Sequence, residues 1–228
     1  MQIFAIFSLT VLLAYATLTD SAPSGADACN GCEVDLLLVI DSSNSINDIG
    51  WPRLIAFLVS LVVKLPVDQS CVQIAALQFS TRIEHLFYFN QFHTSEALSA
   101  YIQNNITHLK ENTNTAGALD SIASRGYFTE ANGARPGSLK NVLIITDGRP
   151  DNQGAAVTSA KTIRDQGVNF IAAAIGSALV DALGQVVGDA SRVFSARSYK
   201  DLTTIESLLL SAVCEAPTTT AEPTTTTP

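Results

Sequence analysis

The chain has 228 residues, of which 13 are Lys or Arg and 21 Asp or Glu, for a formal net charge of -8. That length allows one well-buried domain with appendages. The acidic balance, with no basic run and no interleaving of aromatic and basic residues, argues against a nucleic-acid partner.

Residues 1–16 carry no charged side chain, and the apolar stretch from Ile3 to Leu13 runs into Ala14-Tyr15-Ala16, an A-x-A cleavage pattern. A secretory signal peptide is therefore expected over 1–16. The apolar stretch is short for a bilayer, so no membrane span is expected in the mature chain. Residues 17–32 form an N-terminal segment with two of the four cysteines, Cys29, Cys32, Cys71 and Cys214. An even number in an exported chain points to disulfides. Cys29-Asn30-Gly31-Cys32 precedes a strand instead of opening a helix, unlike a redox pair, and His85, His93 and His108 lack zinc-ligand spacing.

The apolar run Leu36 to Ile40 fits a strand covered on both faces, as in the middle of a parallel sheet. Trp51, Leu54, Ile55, Leu58, Leu61, Val62 and Leu65 recur at helical spacing, with Pro52 tolerated in the first turn. Cys71 to Phe79 and Arg82 to Phe89 read as two strands joined through Ser80 and Thr81, a link so short that the pair must be a hairpin with one antiparallel edge strand. Helices are expected at Ser95 to Asn105 and Ala116 to Tyr127, then a buried strand from Asn141 to Thr146. Ala156, Ala160 and Ile163 mark a helix stopped by Gly167. Strands at Val168 to Ile175 and Val193 to Ala196 flank a short helix near Asp181 to Val187, and Asp201 to Ser211 is a last amphipathic helix. This alternation predicts an α/β, doubly wound, mostly parallel six-stranded sheet with helices on both faces. No glycine-rich phosphate loop occurs, and fold class alone does not imply nucleotide binding.

Asp41-Ser42-Ser43-Asn44-Ser45 leaves the carboxyl end of the first strand, where open parallel sheets hold ligands. One carboxylate and two hydroxyls form an oxygen-only set suited to a hard cation such as Mg2+, bound at roughly 2.1 Å. The fourth strand exits at Thr146-Asp147-Gly148, giving a second carboxylate, and Asn112-Thr113-Asn114-Thr115 opens the helix before it. Ser43 and Ser45 could instead cap the following helix. Asp41 also suggests an aspartyl nucleophile, but Ser43 occupies the place where such sites usually carry a second aspartate. No G-x-S-x-G is present, and no enzymatic activity is expected.

Asp41-x-Ser43-x-Ser45, the segment at Thr113 and Thr146-Asp147-Gly148, in this order, resemble the von Willebrand factor type A domain of integrin inserted domains, matrilins, collagen type VI and secreted adhesion proteins. The resemblance covers about 33–211, within a domain placed at 33–214. It implies a metal-ion-dependent adhesion site (MIDAS) with Ser43, Ser45 and Thr113 on the cation, and with Asp41 and Asp147 acting mainly through waters. Glu111-Asn112 stand where many members have glycine, and Thr115 is an alternative to Thr113. Neutral hydroxyl ligands leave the ion electron-poor, so a carboxylate from an extracellular protein partner would complete its shell. Mg2+ is the expected ion, with Mn2+ and Ca2+ as alternatives, in a secreted adhesion or matrix-binding module. The rival reading is a metal-independent interaction module of the same fold.

Asp151 borders this region and reads more readily as a solvated turn residue. Cys32 with Cys71, and Cys29 with Cys214, is one feasible pairing, and Cys29 with Cys71, and Cys32 with Cys214, is the other. Asn105-Ile106-Thr107 is an N-glycosylation sequon. Residues 215–228, rich in Thr and Pro, are too polar to bury a core and are expected to be an extended, mucin-like stalk. No apolar tail follows it, so neither a lipid-anchor signal nor a stop-transfer segment is expected.

Overall fold

The computed structural model describes residues 29, 31–176 and 179–217. The expected signal peptide, nearly all of segment 17–32 and the tail beyond Pro217 lie outside the described residues. Six strands, β1 Val34–Asp41, β2 Val72–Phe79, β3 Ile83–Phe87, β4 Leu139–Thr146, β5 Asn169–Ile175 and β6 Val193–Ala196, form one sheet in the order β3-β2-β1-β4-β5-β6. β1 runs parallel to both neighbours, with Leu38 opposite Ala76 on one side and Leu143 on the other. Only β3 is antiparallel, and its register slips beside Ala76 and Leu77. All eight residues of β1 are buried, which is why its run from Leu36 to Ile40 is apolar without alternation.

Helices α1 Gly50–Lys64, α2 Ser95–Asn105 and α6 Glu206–Cys214 cover one face, and α3 Thr115–Ser124, α4 Gln153–Arg164 and α5 Val180–Val187 the other. Strand periodicity sorts β1 between them. Leu36, Leu38 and Ile40 join the core under α1 and α6, whereas Leu37 and Val39 join the core under α3 and α4. The last helix differs from the sequence expectation of Asp201 to Ser211. Residues Tyr199–Thr204 form a 3-10 segment, and the α-helix starts only at Glu206 and runs on to Cys214.

The same parity decides the disulfides, which are Cys29–Cys71 and Cys32–Cys214. Cys32 stands two residues before Val34 and shares its face, so it points toward α6, where Val213 belongs to the same core. Cys71 stands one residue before Val72, which faces α6, and is therefore turned away from Cys32. Of the two pairings open in the sequence, the one joining Cys32 to Cys71 is thus excluded. The Cys32–Cys214 bridge spans 182 residues. In the chain-entropy description such a loop is worth about 5 kcal/mol.

The amino end of the sheet carries a buried ion pair. Asp35, fully buried, accepts from Arg135 Nε at 2.9 Å, from the Arg135 backbone N–H at 2.7 Å and from the Ser138 hydroxyl at 2.6 Å. Arg135 also donates to the carbonyls of Val34 and Cys71, tying β1 to the segment that enters β2. On β3, His85 Nδ1 lies 2.8 Å from the Tyr127 hydroxyl, which donates to the Ala76 carbonyl. Burial, aided by the charge of Arg125, holds the His85 pKa below its usual value.

Two outcomes follow from these contacts. Replacing Arg135 by Met leaves the Asp35 carboxylate buried without its cation and should lower unfolding free energy by about 3 kcal/mol in chemical denaturation. The depressed His85 pKa means that the unfolded chain takes up this proton first as pH falls. Wild-type stability should therefore decline relative to His85→Phe between roughly pH 7 and pH 5, seen as a narrowing or reversal of their Tm difference.

Candidate metal centre

The site lies at the carboxyl end of β1, where the strand's last residue, Asp41, is fully buried. The chain turns at once, because Asp41 Oδ1 accepts the backbone N–H of Ser43 at 2.9 Å, an Asx-type turn. Four residues after Ser43, the Asn47 side chain accepts from the N–H groups of Ile49 and Gly50 at the start of α1. The N–H groups at the start of that helix are thus taken up by Asn47, and neither Ser43 nor Ser45 bonds to them. The two serines are left to face each other, with their hydroxyl oxygens 2.9 Å apart, and Ser45 donates to Asp147 Oδ1 at 2.6 Å.

A second loop is laid along the first by backbone bonds. Lys110 N–H donates to the Ser42 carbonyl at 3.0 Å, Asn44 N–H to the Glu111 carbonyl at 2.8 Å, and Leu109 N–H to the Ser42 hydroxyl at 2.9 Å. Lys110 adopts φ 58, the one left-handed non-glycine residue among those described. That conformation costs about 1 kcal/mol or more, and here it lets consecutive residues all reach the Ser42–Asn44 turn. Glu111 accepts from the Ser80 hydroxyl and pairs with Arg82, so the residue standing in place of the usual glycine anchors the loop to the end of β2.

The third loop follows β4. Thr146 donates its hydroxyl to Asp41 Oδ2 at 2.5 Å and accepts the Gly148 N–H at 3.0 Å. A Cβ on Gly148 would stand 3.7 Å from Thr113 Oγ1 and 3.8 Å from Asp41 Oδ2, so the Thr113 hydroxyl and the Asp41 carboxylate converge beside this glycine. Thr115 is buried as the first residue of α3, and its N–H donates to Asp151 Oδ1 at 3.2 Å. Asp151 is therefore a partner of the helix opening and more than a solvated turn residue. Asp41, Ser43, Ser45, Thr113 and Asp147 come together, while Asn105 stands exposed at the end of α2 and the four cysteines lie at the far end of the sheet.

Electrostatics single out Asp41. Burial raises its pKa, the Thr146 and Ser43 bonds oppose that rise, and the like charge of Asp147 adds to it. Its donors are a neutral hydroxyl and a neutral N–H. Two carboxylates and three hydroxyls make an all-oxygen set that fits a hard divalent cation, and a positive ion would offset the charge that burial penalises. Among the described residues no three His, Cys, Asp or Glu side chains cluster, so the hydroxyls are what would complete such a shell.

Three participants are not among the expected site residues, although Thr146 opens the Thr146-Asp147-Gly148 motif. His108 Nε2 bonds the Ser43 carbonyl at 2.9 Å, and its ring stacks on Trp51 with centroids 4.5 Å apart. Thr146 serves as second donor to Asp41. Tyr199, from the 3-10 segment, has a buried hydroxyl that interacts electrostatically with Asp147 and Asp41. Each is remote in sequence from the residue it touches, so only folding makes the contact.

A family model for the von Willebrand factor type A domain matches residues 35–208, more than half of the chain. Human matrilin-1 is 28% identical over 200 residues, which cover 84% of this chain and 40% of matrilin-1. Human collagen alpha-5(VI) chain is 28% identical over 186 residues, covering 82% of this chain and 7% of the collagen. This chain thus spans less than half the length of either relative. Among solved structures, proximal thread matrix protein 1 from the mussel byssus, with a zinc-occupied MIDAS motif, matches with a TM-score of 0.75 and 24% identity, covering 81% of this chain and 49% of that one. That likeness concerns the fold. The family match over β1 to α6, on a sheet of this order, leads to one assignment: the chain belongs to the von Willebrand factor type A domain family.

Proposed function

We propose that this domain is a secreted, non-enzymatic adhesion module that binds a carboxylate of an extracellular protein partner through a divalent cation. In this reading Ser43, Ser45 and Thr113 hold the cation directly, and Asp41 and Asp147 hold it through waters. Mg2+ is the favoured ion, with Mn2+ and Ca2+ as alternatives. The observation that carries the reading is the Asp41 carboxylate. It is fully buried, bonded by neutral donors and faced by a second carboxylate, an arrangement that a cation relieves.

Other features support the extracellular part of the reading. Both described disulfides need an oxidising compartment. The relatives matrilin-1 and collagen VI chains are matrix proteins, and no described helix is long and apolar enough to cross a membrane. Asn105 and Thr107 are both exposed, leaving the sequon open to glycan transfer.

Titration of Mg2+ and of Mn2+ into the mature domain tests the reading, by calorimetry and by the emission of Trp51, the sole tryptophan, whose stacked partner His108 touches Ser43. One site is expected, lost in folded Asp41→Ala and Ser43→Ala. A flat titration of the wild type, or partner binding that survives a chelator, would favour the metal-independent module. Protein secreted from eukaryotic cells should also lose one glycan's mass on deglycosylation, and Asn105→Gln should lack that shift.

A further inference from the structure

The 3-10 segment after β6 places one side chain over the candidate centre from a part of the chain that no motif marks. Tyr199 packs its ring against the start of α1. A Cβ on Gly50 would lie 2.7 Å from Tyr199 Cδ2, so the approach exists because residue 50 is a glycine. Its hydroxyl is buried, yet makes no well-formed hydrogen bond. The carboxylates of Asp147 and Asp41 are the acidic groups that interact electrostatically with it.

A buried hydroxyl without a partner costs about 1–3 kcal/mol, and such a group in a native fold calls for an explanation. Asp147 has acceptor capacity to spare. Ser45 donates to its Oδ1, whereas a carboxylate offers about four lone-pair sites. Its free lone pairs can therefore also take the Tyr199 hydroxyl, which has no partner of its own.

We propose that Tyr199 is a positioning residue of the cation site: its hydroxyl donates to Asp147 when a cation is bound and holds that carboxylate in its outer-shell orientation. The inference rests on the function proposed above. A bond made better in the loaded than in the free state raises cation affinity by linkage, with no contact between Tyr199 and the ion. Gly50 is part of the same device, since any side chain there displaces the ring.

Tyr199→Phe keeps the ring on Gly50 and removes only the hydroxyl. Cation affinity, from calorimetry and Trp51 emission with Mg2+ and Mn2+, should fall about tenfold in this variant. Its Tm without cation should equal or exceed that of the wild type, because an unpartnered group has been removed, while the rise in Tm on adding cation should shrink. Gly50→Ala should weaken the cation in the same direction. A Phe variant that binds as tightly as the wild type overturns the inference and leaves the cation site standing. A Phe variant destabilised equally with and without cation shows a merely structural tyrosine and also overturns it. A wild type that binds no cation overturns both readings.

Discussion

The parallel pairing of β1 with both β2 and β4 is the constraint on which the rest of this domain depends. It forces β1 to be buried on both faces, which its apolar run satisfies, and it brings three strand ends to one edge of the sheet. Asp41, the Ser42–Ser45 turn and Asp147 arrive there because β1 and β4 are neighbours that run in the same direction. Register also fixes the depth of each group. Ile40 pairs with Ile145, so Asp41 sits level with Thr146, and their side chains meet in a short hydrogen bond.

Burial then turns this geometry into chemistry. In water a carboxylate next to two serines would be unremarkable, but Asp41 has lost its solvent and receives only dipoles in return. The like charge of Asp147 adds to the penalty. Polar networks in a low-dielectric site are high in energy when incompletely compensated and rigid when complete. The hydroxyl chain from Ser43 through Ser45 to Asp147 holds the oxygens in place without supplying positive charge. The left-handed backbone at Lys110 is a further cost, and the Glu111 anchor holds the loop that carries Thr113.

The opposite end of the sheet is built for permanence. Arg135 joins Asp35 to carbonyls on either side of β1, the two disulfides lie beside it, and the end of α6 is held from several directions. Arg192 donates to the Ala212 carbonyl at 2.8 Å, and Asn141 donates to that of Val213 at 2.7 Å. Covalent and ionic fastening at one end leaves the other free to spend backbone strain and buried charge on a site.

Much of this was legible in the residues themselves. Continuous apolar strands, helical periodicity and the short link after Phe79 determine the alternation of elements and the antiparallel edge, because patterns of period two and 3.6 record which faces are covered. Asp41, Ser43, Ser45 and Asp147 stand in short motifs at strand ends, where chain order alone places them. The sequence left two pairings open for the cysteines and two threonines open at one position. Tertiary structure decided the cysteine pairing, through the face on which Cys32 and Cys71 point, and it buries Thr115 as α3 begins. It alone also brought His108 and Thr146 to their partners and set the Tyr199 ring against Gly50. Contacts between residues far apart in the chain depend on register and helix placement, and no local pattern encodes them.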